Sequence, residues 1–288
     1  MKKIVYILVI LGIALSIFFV FFYKNKTYVD FDKSLQKIAY PELFKVPWNM
    51  HTYSIFSKLY QKNNLLRVQD SRKYKIPKKL HQIWLGSSFP EKYKAFQQSW
   101  IKNHPDWEYY LWTEETLAAV PMRNKDLYKA ARNYGEKSDI ARYEILYLYG
   151  GLYIDTDFEC LKPFDIFNRC YDFYIGIQPL DTNSVQLGIG LIGARPGSEL
   201  LNTIIEGLQT NKHIMQIIAK TGPIYASRIF CDTALTCSEC VCAFPPTFFY
   251  PRGYTQSFEN RTTWLKPESY AIHHWEGSWL LPTAWEKS

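Results

Sequence analysis

Apolar residues along the chain fall into three patterns. The first is a run: Ile4 to Tyr23 is twenty residues without a charge, interrupted only by Gly12 and Ser16. A helix rising about 1.5 Å per residue would carry such a run across roughly 30 Å of hydrocarbon. No small-x-small cleavage site follows it, only Lys24-Asn25-Lys26-Thr27. We read residues 1–23 as a cytoplasmic tip and a transmembrane signal anchor, with a removed signal peptide as the alternative. Lys2 and Lys3 against Lys24 and Lys26 favour a cytoplasmic N-terminus, hence a single-pass type II protein whose chemistry lies on a lumenal (Golgi/ER-like) or exterior side. The second pattern, residues 24–75, is Lys-rich and aromatic, with Pro41 and Pro47 breaking any long helix, and reads as a stem whose Leu, Phe and Tyr residues pack against the domain. The third, residues 76–288, alternates short apolar runs with helical spacing and reads as an α/β catalytic domain.

Within that domain Leu80 to Leu85 and Trp107 to Trp112 read as strands, and Glu91 to Asn103 as a helix with Tyr93, Phe96 and Trp100 on one face. Lys125 to Tyr134 and Lys137 to Tyr149 read as helices, the second with Ser138 as N-cap and Gly150-Gly151 as its stop. A buried strand, Leu152-Tyr153-Ile154, then runs into Asp155-Thr156-Asp157. Strands at Phe173 to Ile177 and Leu187 to Ile192 and a helix from Ser198 to Gln209 follow.

Composition narrows the classes. With 47% apolar and 21% charged residues the chain forms a core, which excludes disorder and coiled coil. The formal charge of +7 is spread over single and paired Lys and Arg with no run of five, so nucleic acid is not the expected partner and an anionic small molecule is.

Asp-x-Asp alone proves little, since Asp30-Phe31-Asp32 in the stem is also one. The second copy follows an apolar strand directly, where the pleat sends Asp155 and Asp157 to the same side. Two carboxylates at a strand end suit a hard divalent cation bridging to a diphosphate; solvated turn carboxylates are the plain alternative. Asp139 and Arg142, three apart on a helix, form either a simple ion pair or two groups aimed at a sugar and its phosphate.

Four ordered blocks then carry a resemblance: His81-Gln82-Ile83-Trp84, Ser138-Asp139-Ile140-Ala141-Arg142-Tyr143, Gly150 to Asp157, and His273-His274-Trp275-Glu276-Gly277-Ser278-Trp279. Together they resemble the signature of the Asp-x-Asp sugar-binding glycosyltransferases, a family that includes inositol-phosphoceramide mannosyltransferases and initiating α-1,6-mannosyltransferases. The resemblance implies a GT-A nucleotide-sugar-binding fold, a Rossmann-like mixed sheet flanked by helices. It implies a UDP- or GDP-hexose donor, a glycan or glycolipid acceptor, a divalent cation that is usually Mn²⁺ rather than Mg²⁺, and transfer with retention. Carried onto this chain, Trp84 would stack on the donor base, Asp139 and Arg142 would hold the sugar, and Tyr153 would lie near the nucleoside. Asp155 would touch ribose or sugar and share the metal with Asp157; His274 would be a further metal ligand, and Ser278 and Trp279 would close over the diphosphate.

Two rivals remain at this point, a sugar-binding protein without turnover and an Asp-dependent phosphohydrolase; the latter wants Thr or Val where Glu159 stands. Six cysteines, four of them between Cys231 and Cys242, suggest disulfides on the outer side of a membrane, with a zinc site or free thiols as alternatives. Asn260-Arg261-Thr262 is an N-glycosylation sequon. Acceptor specificity is expected in the loops Pro179 to Gln186 and Cys231 to Phe249.

Overall fold

A computed structural model describes residues 29–256 and 260–280. The anchor expected at 4–23 lies outside the described residues, and no helix among the described ones is long and apolar enough to cross a membrane. The strands are β1 (Lys79–Ile83), β2 (Glu108–Trp112), β3 (Gly151–Ile154), β4 (Phe158–Cys160), β5 (Phe173–Ile177), β6 (Leu187–Ala194), β7 (Val241–Phe244) and β8 (Ala271–His273). The longer helices are α1 (Pro47–Asn63), α2 (Lys94–Asn103), α3 (Tyr134–Tyr149), α4 (Glu199–Thr210) and α5 (Pro223–Thr233).

Six strands make one mixed sheet in the order β2-β1-β3-β6-β5-β7, and β4 pairs with β8 in a separate ribbon. The β1–β2, β1–β3 and β5–β7 pairs are parallel, whereas β6 runs antiparallel to both β3 and β5. Every residue of β3, β5, β6 and β7 is buried, which is why these strands read as near-continuous apolar runs rather than alternating ones. The domain is therefore a mixed α/β sheet with helices packed on it, and the β3 carboxyl end falls in mid-sheet.

Helix α3 starts one turn earlier than its spacing predicts. Its cap is Asn133, whose Oδ1 accepts from the amides of Gly135 and Glu136, and not Ser138, whose carbonyl lies inside the helix and accepts from Arg142 Nε. The preceding helix ends at Ala130 instead of Tyr134 for the same reason: Asn133 and Tyr134 open α3. At its other end Gly150, with φ 60°, stops the helix as expected.

Part of the expected stem is core. Pro47 occupies the first position of α1, where its missing N–H costs nothing, and the 17-residue helix buries Phe56, Leu59 and Tyr60. Phe56 meets Phe230 of α5 edge-on, and Asn63 Nδ2 donates to the Val241 carbonyl of β7.

No disulfide joins any of the six cysteines, against the expectation for an exterior domain. They are distributed over β4, the short helix Asp165–Cys170, α5, β7 and the turn before β7, and burial pushes the Cys231 thiol up to about 12, which suppresses its thiolate chemistry. Nor does any cysteine belong to a metal-capable cluster among the described residues.

Strand β6 does the positioning beneath the site through its glycines. A Cβ on Gly188 would lie 2.3 Å from the Tyr250 ring, and one on Gly190 would lie 2.6 Å from Asp155 Oδ2 and 2.9 Å from the Phe158 ring. The absent side chains leave room for the Asp155 carboxylate and for two buried aromatic rings. Gly188→Ala should cost about 1–3 kcal/mol by forcing Tyr250 off its seat. Urea unfolding followed by far-UV circular dichroism measures it, and an unchanged midpoint would contradict this packing.

Candidate active site

The site is built where β3 ends. The Asp155 amide donates to the Gly190 carbonyl of β6 at 2.7 Å, so the sheet holds the first carboxylate's backbone. Its Oδ1 accepts from the Tyr153 hydroxyl at 2.7 Å and lies 3.5 Å from Arg142 Nη2. Two residues on, Asp157 is fixed by the β4–β8 ribbon. Phe158 pairs with His273 in register, the His274 amide donates to the Asp157 carbonyl, and the Glu276 amide donates to Asp157 Oδ2 at 3.0 Å. His273 Nε2 stands 3.3 Å from Asp157 Oδ1.

Ligand atoms of Asp155, Asp157 and His273 all lie within 4.8 Å of one another. Two carboxylates and an imidazole within that span are a donor set that fits a divalent cation. Burial pushes the Asp157 carboxyl up, but His273 beside it and the Glu276 amide outweigh that and hold it below the ordinary range. The Asp155 side chain is 30% exposed against 12% for Asp157, so Asp155 is the carboxylate with room for an incoming ligand.

Behind the carboxylates stands Arg142. Its Nη1 donates to the Ile189 carbonyl at 2.9 Å, Nε donates to Ser138, and Nη2 lies 3.1 Å from Asp139 Oδ1 as well as near Asp155. The guanidinium also covers the Tyr153 ring at 4.6 Å. Asp139 Oδ2 accepts from Thr221 at 2.9 Å. Burial pushes the Asp139 carboxyl up to about 6 despite Arg142 and Thr221.

Asp139, Arg142, Tyr153, Asp155 and Asp157 thus meet at one place. Tyr153 is 1% exposed and its hydroxyl donates to Asp155, so it orients that carboxylate. His274 is not in the metal-capable cluster: its Nε2 meets Glu159 at 3.1 Å and its ring stacks on Phe96 at 4.3 Å. The pleat of β8 sends neighbours to opposite sides, and the register with Phe158 gives the carboxylate side to His273.

The aromatic expectations fall around the same opening. Half-buried Trp84 packs on Phe89 and on Tyr93, whose hydroxyl burial holds above its ordinary range, with the negative charges of Asp157 and Glu276 adding to the effect. Trp279, in the 3-10 turn Ser278–Leu280, accepts at its carbonyl from Asn133 Nδ2 and lies against Gly135, so this turn covers the start of α3. Trp279 is 36% exposed, and Ser278 is half-buried beside it. Thr221, Gly190 and the Glu276 amide were not singled out as site groups from the sequence. Each acts through a partner far along the chain, and only His273, in a noted His pair, carried a local signal.

Comparison with known proteins bears on this constellation. A family model described as "Glycosyltransferase sugar-binding region containing DXD motif" matches residues 90–174. Inositol phosphoceramide mannosyltransferase 1 of Schizosaccharomyces pombe is 30% identical over 201 residues, covering 65% of this chain and 61% of that protein. Inositol phosphoceramide mannosyltransferase 3 of the same organism is 30% identical over 188 residues, 59% and 51% of the two chains. The initiation-specific alpha-1,6-mannosyltransferase of Candida albicans is 36% identical over 105 residues, 31% of this chain and 26% of that one. The chain spans about half to three-fifths of the length of the first two relatives. Among solved structures, the PaToxG glycosyltransferase overlaps 63% of this chain and 77% of its own at 17% identity with a TM-score of 0.46, a likeness too slight to carry an argument. The matched segment holds α3 and β3 with Asp139, Arg142, Asp155 and Asp157, so these site residues lie in the part of the chain that is similar to the glycosyltransferase family whose sugar-binding region contains the Asp-x-Asp motif.

Proposed function

We propose that this protein is a metal-dependent, retaining hexosyltransferase of GT-A fold that moves a sugar from a UDP- or GDP-hexose to a hydroxyl of a glycan or glycolipid. Mannose on a lipid carrying an inositol phosphate head is the first pair to test, because the named relatives are mannosyltransferases of inositol phosphoceramide. The observation that carries the reading is the cluster of Asp155, Asp157 and His273 at the end of β3, inside and against the matched sugar-binding region. The imidazole in the donor set favours Mn²⁺ over Mg²⁺, which prefers oxygen throughout. The run 4–23 would anchor the enzyme as a type II membrane protein.

In this reading Asp155, Asp157 and His273 hold the cation, which when bound neutralises the departing nucleoside diphosphate. Arg142 and Tyr153 fix Asp155 before any ligand arrives, so little reorganisation is left to the reacting complex. Asp139, held from both sides by Arg142 and Thr221, faces the sugar hydroxyls. The turn carrying Ser278 and Trp279 shields the donor from water over the start of α3. Asp155 Oδ1 is engaged by Tyr153 and Arg142, which makes it a poor nucleophile and favours same-face attack by the acceptor hydroxyl.

Mass spectrometry of the full-length chain in detergent, offered UDP- and GDP-hexoses with Mn²⁺, should detect donor hydrolysis and acceptor transfer that EDTA stops. Asp157→Asn should lower turnover by about a hundredfold or more. His273→Ala should raise the Mn²⁺ requirement by about tenfold, and His274→Ala should not. Metal-independent turnover, or the reverse order of the two histidines, would overturn the assignment.

Asp139 gives a pH signature. Its acid is raised by burial to about 6, so the ionised form that pairs with Arg142 is lost as pH falls through that value, and the rate should fall with it. Thr221→Val removes a hydrogen bond that favours the ionised form and should move this acid limb upward, whereas Thr221→Ser should restore it. Rate–pH profiles of the three proteins decide it.

A further inference from the structure

A groove of about 340 Å³ opens where the start of α1 meets α5 and the segment after α4. Trp48, Ile214, Ala219, Ile224 and Tyr225 line it, with Arg228 at one side. The volume is near the low end of sites that hold small ligands, about 300–1,000 Å³. Its edge is unusual for a water-facing surface: Ile214 is 42% and Met215 93% exposed, next to exposed Lys212 and His213. The Arg228 Nη2 donates to Asn211 Oδ1 at 3.0 Å and the guanidinium lies 5.7 Å from the Tyr225 ring centre, and no carboxylate pairs with it among the described residues.

An apolar trough with an unneutralised cation beside it complements an amphiphile, with hydrocarbon in the trough and an anionic phosphate on the guanidinium. Space of this size takes an extended alkyl chain and not a helix, which with side chains is about 10 Å across. That argues against the chain's own apolar run, or a helix of a second copy, as the occupant.

The groove also shares a wall with the active site. Asn211 Nδ2 donates to the carbonyls of Ala219 and Lys220, both at 2.7 Å. The next residue, Thr221, bonds Asp139, and Lys220 Nζ pairs with Glu136 of α3 at 2.6 Å. A ligand in the groove therefore ends one short segment away from Asp139.

We propose that the Trp48–Ile224 groove binds a hydrocarbon chain of a lipid acceptor, with the lipid's anionic phosphate on Arg228 and its head-group hydroxyl directed to the Asp155–Asp157 site. The proposal rests on the lipid-acceptor reading of the function and adds where the acceptor's tail is held.

The test uses full-length protein in neutral detergent micelles and a phosphatidylinositol carrying a diazirine in one acyl chain. After irradiation, peptide mapping should find the label on segments holding Trp48 or residues 214–225. Ile224→Trp, which fills the groove, and Ile214→Glu, which puts a charge on its exposed edge, should each cut labelling at least about tenfold. Both should leave metal-dependent donor hydrolysis unchanged and raise the KM for a lipid acceptor but not for its chainless head group. Arg228→Gln should weaken labelling by the phospholipid more than by an uncharged diacylglycerol bearing the same diazirine. Labelling confined to other surfaces or to residues 4–23, or unchanged labelling in both groove variants, would overturn the proposal while donor hydrolysis persists. Loss of donor hydrolysis in the wild-type chain would instead sink the transferase reading, and the label would still report on the groove.

Discussion

Gathering carboxylates at one strand end is opposed by their own repulsion, and the rest of the site is arranged around that problem. Asp139, Asp155 and Asp157 converge where solvent is largely excluded, and the fold answers with fixed positive partners rather than water. Arg142 is shared between Asp139 and Asp155 while its Nε and one Nη1 N–H donate to two carbonyls, so the guanidinium is held in place. Removing such a partner leaves buried charge uncompensated, a loss of several kcal/mol. Arg142 is therefore a structural counterweight for the acidic cluster.

That counterweight explains the sheet's odd geometry. An antiparallel β6 beside β3 puts Gly190 next to Asp155, and the missing side chain lets the carboxylate lie against the strand. The Ile189 carbonyl of the same strand is one of Arg142's acceptors, so one strand both makes space for the acid and anchors its cation.

Much of this was legible in the sequence because it is local. An apolar run ending in Asp-x-Asp predicts a buried strand with two acids on one side, and the Asp139–Arg142 spacing predicts a shared helix face; these depend only on periodicity. The helix start was misplaced because Ser138 and Asn133 are both good caps, and choosing between them takes the long-range bond from Asn133 to the Trp279 carbonyl. His273 was passed over for His274 because which of two adjacent residues faces inward depends on register with β4, and register is a property of the pair. Disulfides were expected from cysteine count and compartment, but count says nothing of the separate elements on which the thiols sit.

The pairing of β4 with β8 has one more implication. Glu276, whose amide steadies Asp157, lies 119 residues beyond it. During synthesis the acids therefore emerge long before the strand that completes them, and a ribosome-bound intermediate carries Asp155 and Asp157 without His273 beside them. The geometry at the end of β3 is therefore finished only once β8 and Glu276 have been made, and no shorter nascent chain can hold Asp157 in place.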